Sequence, residues 1–473
     1  MIATRRLQRT FGDGLIAAEI NDLHEAWMPH ADVILADDEI VHAVHRALAK
    51  RHPQSLRRGR PGFSAEVVLR LLILKHARNW SYQELEREVR ANLVYRDFTR
   101  IGSEKVPDAK TMGRWGTALD PSVIRDVHDR IVQIAQTNNA VQGRKMRVDT
   151  TVVERDIHYP TDSSLLGDGV RVLTRAMKYI TELAGTAGTQ LRDRSRSVQY
   201  RLLEIARATR GKAPQKDRMK RAYDSLLEAT QRVVGQAKRF SQEISAGVKR
   251  CTEVTEQVVL EGHRKVLNEM VPLVQQVMRQ TKARIFHGDT RSEGKIVSVF
   301  EPTTEVIRKG KAAKPTEFGK LVKLQEAENQ IIVDYEVYEH RPNDAELLIP
   351  AIELHEAKLG RVPRLVAADA AFYSGKNEAA AKAKGVKRVC IPNRSTKSAE
   401  RRREQKKRWF RSGQRWRTGC EGRISVSKRR HGLNRCRYRG DDGMKRWVGL
   451  GVIADNLINI GRVIDDHSAQ VIS

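Results

Sequence analysis

MRVDTTVV, residues 146–153, changes the character of a chain that reads as mostly helical up to that point. The stretch is short and rich in β-branched residues, which is typical of a buried strand. Its one acid, Asp149, stands where a strand end or a loop would expose a carboxylate. Because further strand signals return after residue 285, the stretch predicts the first strand of an α/β sheet.

The later strand signals fall into two groups. We expect antiparallel strands with turns between them at GKIVSVFEP (294–302), KLVKLQEAE (320–328) and QIIVDYEVYEH (330–340). RLVAADAAFYS (364–374) then predicts a strand that ends in Asp369, and VKRVCIP (386–392) predicts another. The helical stretch KNEAAAKAKG lies between these two, so the second half of the sheet is expected to have parallel character.

Helical patterns occupy the rest of the chain. FSAEVVLRLLILKHA (63–77) and NWSYQELEREVRANL (79–93) predict a helical pair, with Ser81 and Glu84 at the spacing of a capping box. The pair follows a basic loop at 55–62 and serves either to read DNA or as scaffold. Residues 166–284 are helical again, and we expect an apolar face to pack there: Val259, Val266, Met270, Leu273 and Val277.

These patterns predict an α/β protein of four parts. The first is an N-terminal helical domain, residues 1–145, which binds DNA or dimerises. A core follows in two pieces, 146–165 and 285–445, separated by a helical insertion at 166–284. A closing C-terminal helix is expected at 446–473.

The charge balance indicates the kind of partner. Lys and Arg number 87 against 58 Asp and Glu, so the formal net charge is +29. Such an excess favours a polyanion, and nucleic acid is the leading expectation. No apolar run approaches the ~18 residues of a spanning helix and no signal-peptide pattern opens the sequence, so a soluble cytoplasmic protein is expected. The four cysteines lack metal-ligand spacing and predict neither a zinc site nor a disulfide.

One carboxylate stands out within the most basic segment. Residues 394–439 contain eighteen Lys or Arg and three acids, and one of these acids, Glu421, lies in TGCEGRISVSKRRHG (418–432). Together with Asp149 and Asp369 it makes three acids on separate elements. Carboxylates arranged in this way can hold two Mg²⁺ ions for phosphoryl transfer. Asp289, in FHGDTRSEGK, competes with Asp369 as the second acid, although its surroundings read as a turn.

Four stretches resemble the DDE transposases of bacterial insertion sequences, whose catalytic core is RNase H-like: RVDTTVVE, VAADAAFYS, GVKRVCIPNRS and RTGCEGRISVSKRRHGL. In the last of these, Arg417, Glu421 and Lys428 reproduce the family's spacing of Arg, three residues, Glu, six residues and Lys. The tyrosine that the family carries two residues before Arg is absent, since Gln414 lies near that place and Trp416 is the nearby aromatic residue.

The resemblance implies specific roles. Asp149, Asp369 and Glu421 would be the catalytic residues and the ligands of two Mg²⁺ ions, for which Mn²⁺ is a substitute in the family. The residues implied to contact DNA are Arg417, Lys428, Arg423, Arg429 and Arg430. The fold implied is an RNase H-like mixed sheet with helices, an N-terminal helical domain and a long helical insertion.

The implied activity is cleavage at the ends of an insertion sequence and transfer of the 3′-hydroxyl to target DNA. The implied partners are the terminal inverted repeats, the target DNA and a second copy of the chain in a homodimer, with the protein on the bacterial nucleoid when bound. Two alternatives stay open. One is a DNA-binding protein without catalysis, such as a regulator or a decayed transposase, and the other is a structure-specific nuclease with the same core.

Overall fold

The computed structural model describes residues 2–5, 11–50, 62–209, 216–308 and 315–472. The chain divides into two compact units: unit 1 contains residues 1–156 and 319–473, and unit 2 contains residues 157–318. The basic loop predicted at 55–62 lies outside the described residues apart from Gly62. The predicted boundaries of the four parts stay predictions.

The helices and strands follow one another in this order. The α-helices are α1 (Phe11–Glu19), α2 (Trp27–Leu35), α3 (Asp38–Ala49), α4 (Ala65–Ala77), α5 (Tyr82–Ala91), α6 (Leu93–Phe98), α7 (Ala109–Ala118), α8 (Pro121–Thr137), α9 (Asp162–Ala184), α10 (Ser195–Thr209), α11 (Lys216–Ser245), α12 (Val254–His287), α13 (Leu348–Leu359), α14 (Gly375–Ala383), α15 (Ala399–Lys406), α16 (Arg408–Arg430) and α17 (Gly440–Ile472). The strands are β1 (Lys145–Arg155), β2 (Glu305–Arg308), β3 (Thr316–Glu326), β4 (Ile332–Val337), β5 (Leu365–Ala368), β6 (Arg388–Cys390) and β7 (Arg435–Cys436).

The sheet of unit 1 is built around β1, the strand predicted from MRVDTTVV. Its neighbours run in the order β4–β3–β1–β5–β6, with β7 also beside β1. β3 pairs antiparallel with both β1 and β4, whereas β5 lies parallel to β1 and β6 lies parallel to β5. The predicted parallel character of the second half is therefore confirmed, and the fold is a mixed α/β arrangement.

One predicted strand is wrong. GKIVSVFEP forms turns and bends within unit 2, and Ile296 and Val299 pack into the helical core of that unit. The Gln280 side chain forms two hydrogen bonds with the backbone of Ile296. Its Nε2 donates to the Ile296 carbonyl oxygen at 2.8 Å, and its Oε1 accepts from the Ile296 N–H at 2.8 Å. A side chain of α12 thus replaces the neighbouring strand that the alternating pattern predicted.

The N-terminal helices share a hydrophobic core with the C-terminal helix α17. α4 is buried along its whole length, and α5 begins with the predicted capping box of Ser81 and Glu84. Leu450, Ile453 and Leu457 of α17 belong to the same apolar cluster as the buried residues of α2, α4 and α8. This cluster fixes α17 inside unit 1.

The composition of α17 corrects one expectation. Its segment Gly440–His467 is long and apolar enough to cross a membrane, although we expected no such run. Inside unit 1, however, 78% of its most apolar window is buried. A core helix of a globular protein meets the same criteria, and the packing of α17 explains its hydropathy without a membrane.

A lysine lies inside the same part of unit 1. Lys75 of α4 is 2% exposed, and its Nζ lies 5.0 Å, 5.2 Å and 4.5 Å from the ring centroids of Tyr82, Tyr438 and Trp447. The ring faces stabilise the cation, whereas burial destabilises it. Burial dominates and lowers the pKa of Lys75 to about 7.

Unit 2 packs the long helices α9 to α12 around its own core. The predicted apolar face of α12 is confirmed at Val277, which is buried, whereas nearer the start of the helix the buried row lies one residue further along the chain. Val259 is 50% exposed, while Leu260, Leu267 and Val274 are buried. Both rows are apolar in sequence, so periodicity alone did not distinguish them.

Candidate active site

β1 and β5 bring two of the three predicted acids to the same part of the sheet. The strands are parallel, and Val148 of β1 is paired with Ala368 of β5. Asp149 and Asp369 each follow one of these paired residues directly. Neighbouring strands lie about 4.8 Å apart, so the backbones that carry the two carboxylates are adjacent.

α16 brings the third acid to the same sheet, because it packs against β1, β5 and β6. On this helix the Arg417 guanidinium contacts two carboxylates at once: its Nη2 donates to Glu421 Oε1 at 2.8 Å, and its Nη1 lies 3.9 Å from Asp149 Oδ2. The Glu421 side chain is 57% exposed and that of Asp149 is 15% exposed. The one-turn spacing of Arg417 and Glu421 allows this first pair, although Arg417 was predicted to contact DNA and Glu421 to bind metal.

A buried cradle lies beneath the turn of α16 that carries Arg417 and Glu421. Arg147 of β1, two residues before Asp149, is paired in register with Glu326 of β3 and binds its carboxylate through Nε at 3.0 Å and through Nη2. Its Nη1 donates to the carbonyl oxygen of Trp416 at 2.5 Å. Burial raises the pKa of Glu326, although Arg147 opposes that shift.

Two further residues of α16 fit against this cradle. Cys420 is fully buried, hydrogen-bonds to Glu326, and has a pKa raised well above its usual value by burial. A Cβ added to Gly419 would lie 2.5 Å from Nη1 of Arg147, so the helix can approach the guanidinium this closely only with glycine there. These contacts therefore set the distance of this turn of α16 from β1 and its rotation about the helix axis, and so the position of Glu421.

Arg417 contacts carboxylates in this structure, and its predicted contact with DNA stays a prediction. The other basic residues predicted to contact DNA divide into two groups. Arg429 and Arg430 are exposed at the end of α16, and Lys428 is half-buried. Arg423 is 5% exposed, and its Nη1 donates to Asn459 Oδ1 at 2.9 Å while Nε lies 3.4 Å from Asp455 Oδ2. Its charge is neutralised inside the protein, which corrects the prediction that Arg423 contacts DNA.

Sequence reasoning missed a further acid near β1. Asp344, in the 3₁₀ turn before α13, accepts a hydrogen bond from Thr150 Oγ1 at 3.0 Å, next to Asp149. Its signal was weak because NDAEL reads as a helix start. Asp289 of unit 2, the competing second acid, accepts from the backbone N–H of Arg291 at 2.7 Å, as its turn-like surroundings predicted.

The three carboxylates are candidate metal ligands, and in this structure other groups of the protein contact them. Among the described residues, no three or more histidine, cysteine or acidic side chains are grouped closely enough to hold a metal ion. The Arg417 guanidinium stands between Asp149 and Glu421, and Asp369 accepts a hydrogen bond from the backbone N–H of Ala371. Three carboxylates that all reach solvent nevertheless suit a hard divalent cation, which prefers oxygen ligands.

Comparisons with known families match two parts of unit 1. Residues 27–117, the helical segment from α2 to α7, match a transposase domain (DUF772). Residues 376–460, from α14 into α17, match a transposase DDE domain, and this range includes Arg417, Glu421 and Lys428. No curated protein and no solved structure matched the chain significantly.

Proposed function

Because this chain is a DDE transposase of the insertion-sequence type, we propose that it cleaves DNA at the ends of its element and joins the released 3′-hydroxyl to target DNA. One observation carries the proposal: β1, β5 and α16 bring Asp149, Asp369 and Glu421 to one region of unit 1. The antiparallel order β4–β3–β1, continued by parallel β5 and β6, supports an RNase H-like core.

Enzymes of this family act with divalent metal ions. We propose Mg²⁺ here, with Mn²⁺ as a substitute, held by Asp149, Asp369 and Glu421. Two such ions would supply charge stabilisation for the attacking and leaving oxygens of an in-line displacement.

The other residues of the site act on charge and position. Arg417 balances the negative charge of Asp149 and Glu421, which lie on different elements and would otherwise repel each other. Lys428, Arg429 and Arg430 lie between three and four turns beyond Arg417 on α16, where they would neutralise DNA phosphates. Recognition of two terminal repeats would require two active sites, and a homodimer is the simplest assembly that provides them.

Isosteric variants test the assignment on a labelled fragment that carries one element end. Asp149→Asn and Glu421→Gln remove the charge and keep the shape, so we expect cleavage to fall about 100- to 1,000-fold, as when a principal transition-state interaction is lost. DNA affinity should change little. Asp289→Asn, which alters an exposed turn of unit 2, is the matched control and should cleave as the wild type does.

The same experiment separates the alternatives. Cleavage without joining of the 3′ end would indicate a structure-specific nuclease. Wild-type protein that binds the fragment but leaves it intact with Mg²⁺ and with Mn²⁺ would indicate a DNA-binding protein without catalysis. Normal cleavage by either acid variant would refute the proposed site.

A further inference from the structure

A groove of about 640 Å³ lies at the opposite end of the strands from the predicted acids. Lys145, Leu365 and Arg388, the first residues of β1, β5 and β6, form one side of it. The N-terminal part of α16, with Trp409 and Trp416, forms the other side. Lys145 precedes Asp149 by four residues, or roughly 13 Å of strand, so this groove is separate from the acids.

The two tryptophans give the groove aromatic walls that are held in place. They lie seven residues apart on α16, on the same face of the helix, and each is half-buried. Arg388 lies 5.8 Å from the ring centroid of Trp409, and Lys145 lies 5.9 Å from that of Trp416. Gly413 lies between them and packs so closely on Cys390 that an added Cβ would meet its Sγ at 2.3 Å. The missing side chain at Gly413 lets α16 lie directly against β6, and this close packing sets the position of the two rings relative to the sheet.

The charge of the groove is of one sign. Lys145, Arg388, Lys407 and Arg408 line it and are exposed, and none of the described residues that line it is acidic. Arg408 also lines a second groove, of about 680 Å³, whose other basic residues are Lys406, Arg411 and Arg415. The two grooves thus form a continuous cationic path along the outside of α16.

We propose that the groove between Trp409 and Trp416 binds an unpaired nucleotide of the DNA substrate, with the base stacked on a tryptophan and the adjacent phosphates on the cations. Aromatic rings interleaved with basic residues are what single-stranded DNA requires, and a paired base within a duplex presents no free face for stacking. The inference rests on the proposed function because it takes DNA as the substrate.

The helix also sets where this nucleotide lies. Trp409 and Glu421 are twelve residues apart on α16, or about 18 Å at 1.5 Å per residue. At the duplex spacing of about 3.4 Å per nucleotide, a base stacked on Trp409 is about five nucleotides from the cleaved bond, and a stretched single strand would cover the same distance with fewer. The groove therefore holds a strand that has separated from its partner some way from the cut.

Binding without metal tests the groove independently of cleavage. Full-length protein in EDTA is titrated into a fluorescein-labelled oligo-dT, and into the same strand with abasic sites, with anisotropy as the readout. We expect the abasic strand to bind about 5- to 150-fold more weakly, since stacking is worth ~1–3 kcal/mol per base. Trp409→Ala should remove this preference, and Trp409→Phe, which keeps an aromatic face, should retain most of it.

Two arginines provide a matched control. Arg388 lines the tryptophan groove and Arg411 lines only the second groove, and both are exposed. We expect Arg388→Ala to reduce the preference for the base-bearing strand, and Arg411→Ala to weaken both strands equally. Equal affinity of wild-type protein for the two strands, or an unchanged preference in Trp409→Ala, would overturn the proposal. Either result would leave the cleavage assignment standing.

Discussion

The basic residues of unit 1 lie in two regions that differ in exposure: one region is buried and its charges are compensated, and the other is open to solvent. In the interior, Arg147, Arg423 and Lys75 are each at least 95% buried, and carboxylates or aromatic rings surround them. On the outer face of α16, the following arginines are exposed: Arg411, Arg415, Arg429 and Arg430. The net charge of +29 counts buried and exposed residues of the whole chain alike, but only exposed cations are available to DNA.

Because of this difference in exposure, the two groups of cations have different roles, one in binding DNA and one in holding the fold together. An exposed guanidinium contributes to a field that attracts phosphate, and salt screens that field. A buried guanidinium holds together the helices and strands that it links, because separating it from its carboxylate would leave an uncompensated charge in the interior. Arg147 therefore acts on the site through the position of α16, and Arg430 acts through the substrate.

Lys75 provides the largest expected effect. Its pKa is lowered to about 7 in the folded protein, against an ordinary value of about 10.4 in the unfolded chain. Between these values the unfolded state binds one more proton, so the free energy of unfolding should rise with pH from about 7 to about 10.5, by up to a few kcal/mol. Urea unfolding at a series of pH values measures this.

Lys75→Met is the comparison for that measurement. Methionine keeps the volume and removes the titration, so the variant should be more stable than the wild type at pH 7, and the difference should shrink as the pH rises. If the free energy of unfolding depends on pH in the same way for both proteins, then Tyr82, Tyr438 and Trp447 keep the Lys75 ammonium fully charged in the folded state. The rings would then outweigh burial.

Gly419 tests whether the interior region controls the site. Gly419→Ala places a Cβ against Nη1 of Arg147, which cannot withdraw without losing its bonds to Glu326 and Trp416. We expect cleavage to fall about 10- to 100-fold, because displacing a catalytic group by about 1 Å has an effect of this size. Gly422→Ala, on the same helix, meets nothing within 4 Å and should cleave normally.

Equal cleavage by the two alanine variants would show that the cradle does not position Glu421. Melting temperatures are needed alongside the rates. Alanine favours a helix over glycine by up to ~1 kcal/mol, so Gly422→Ala should melt slightly higher than the wild type. Gly419→Ala should not melt higher than the wild type, because the contact of its Cβ with Arg147 offsets the gain in helix stability.

The smallest expected effect concerns the salt dependence of DNA binding. Arg430→Ala removes one exposed cation and should reduce the slope of log K against log salt concentration by about 0.9 if that side chain neutralises one phosphate. Arg423→Gln should leave the slope unchanged, because Asp455 and Asn459 already engage its guanidinium. Titrations from 50 to 200 mM salt with a duplex fragment measure both slopes. A fall in slope for Arg423→Gln would contradict the division into two regions.

The sequence predicted the local features of this site well. The β-branched run predicted β1, the Arg-to-Glu spacing placed both residues one turn apart on a helix, and strand signals predicted β3 to β6, because each depends on neighbouring residues. Arg147 and Glu326 were not predicted as a pair since 178 residues separate them along the chain, and only the β1–β3 register joins them. Arg423 was misassigned because a basic helix in sequence does not show which of its faces is buried.

The route of the chain through β1 and β3 has a consequence for how such a protein can change. Unit 1 ends its first segment at Asp156 and resumes at Gly319, and Gly319 is the cross-strand partner of Glu154. The two ends of a 162-residue excursion therefore stay bridged by the ladder itself. A short hairpin could close the same gap, so evolution is free to enlarge, exchange or delete everything between these strands while the acids keep their places.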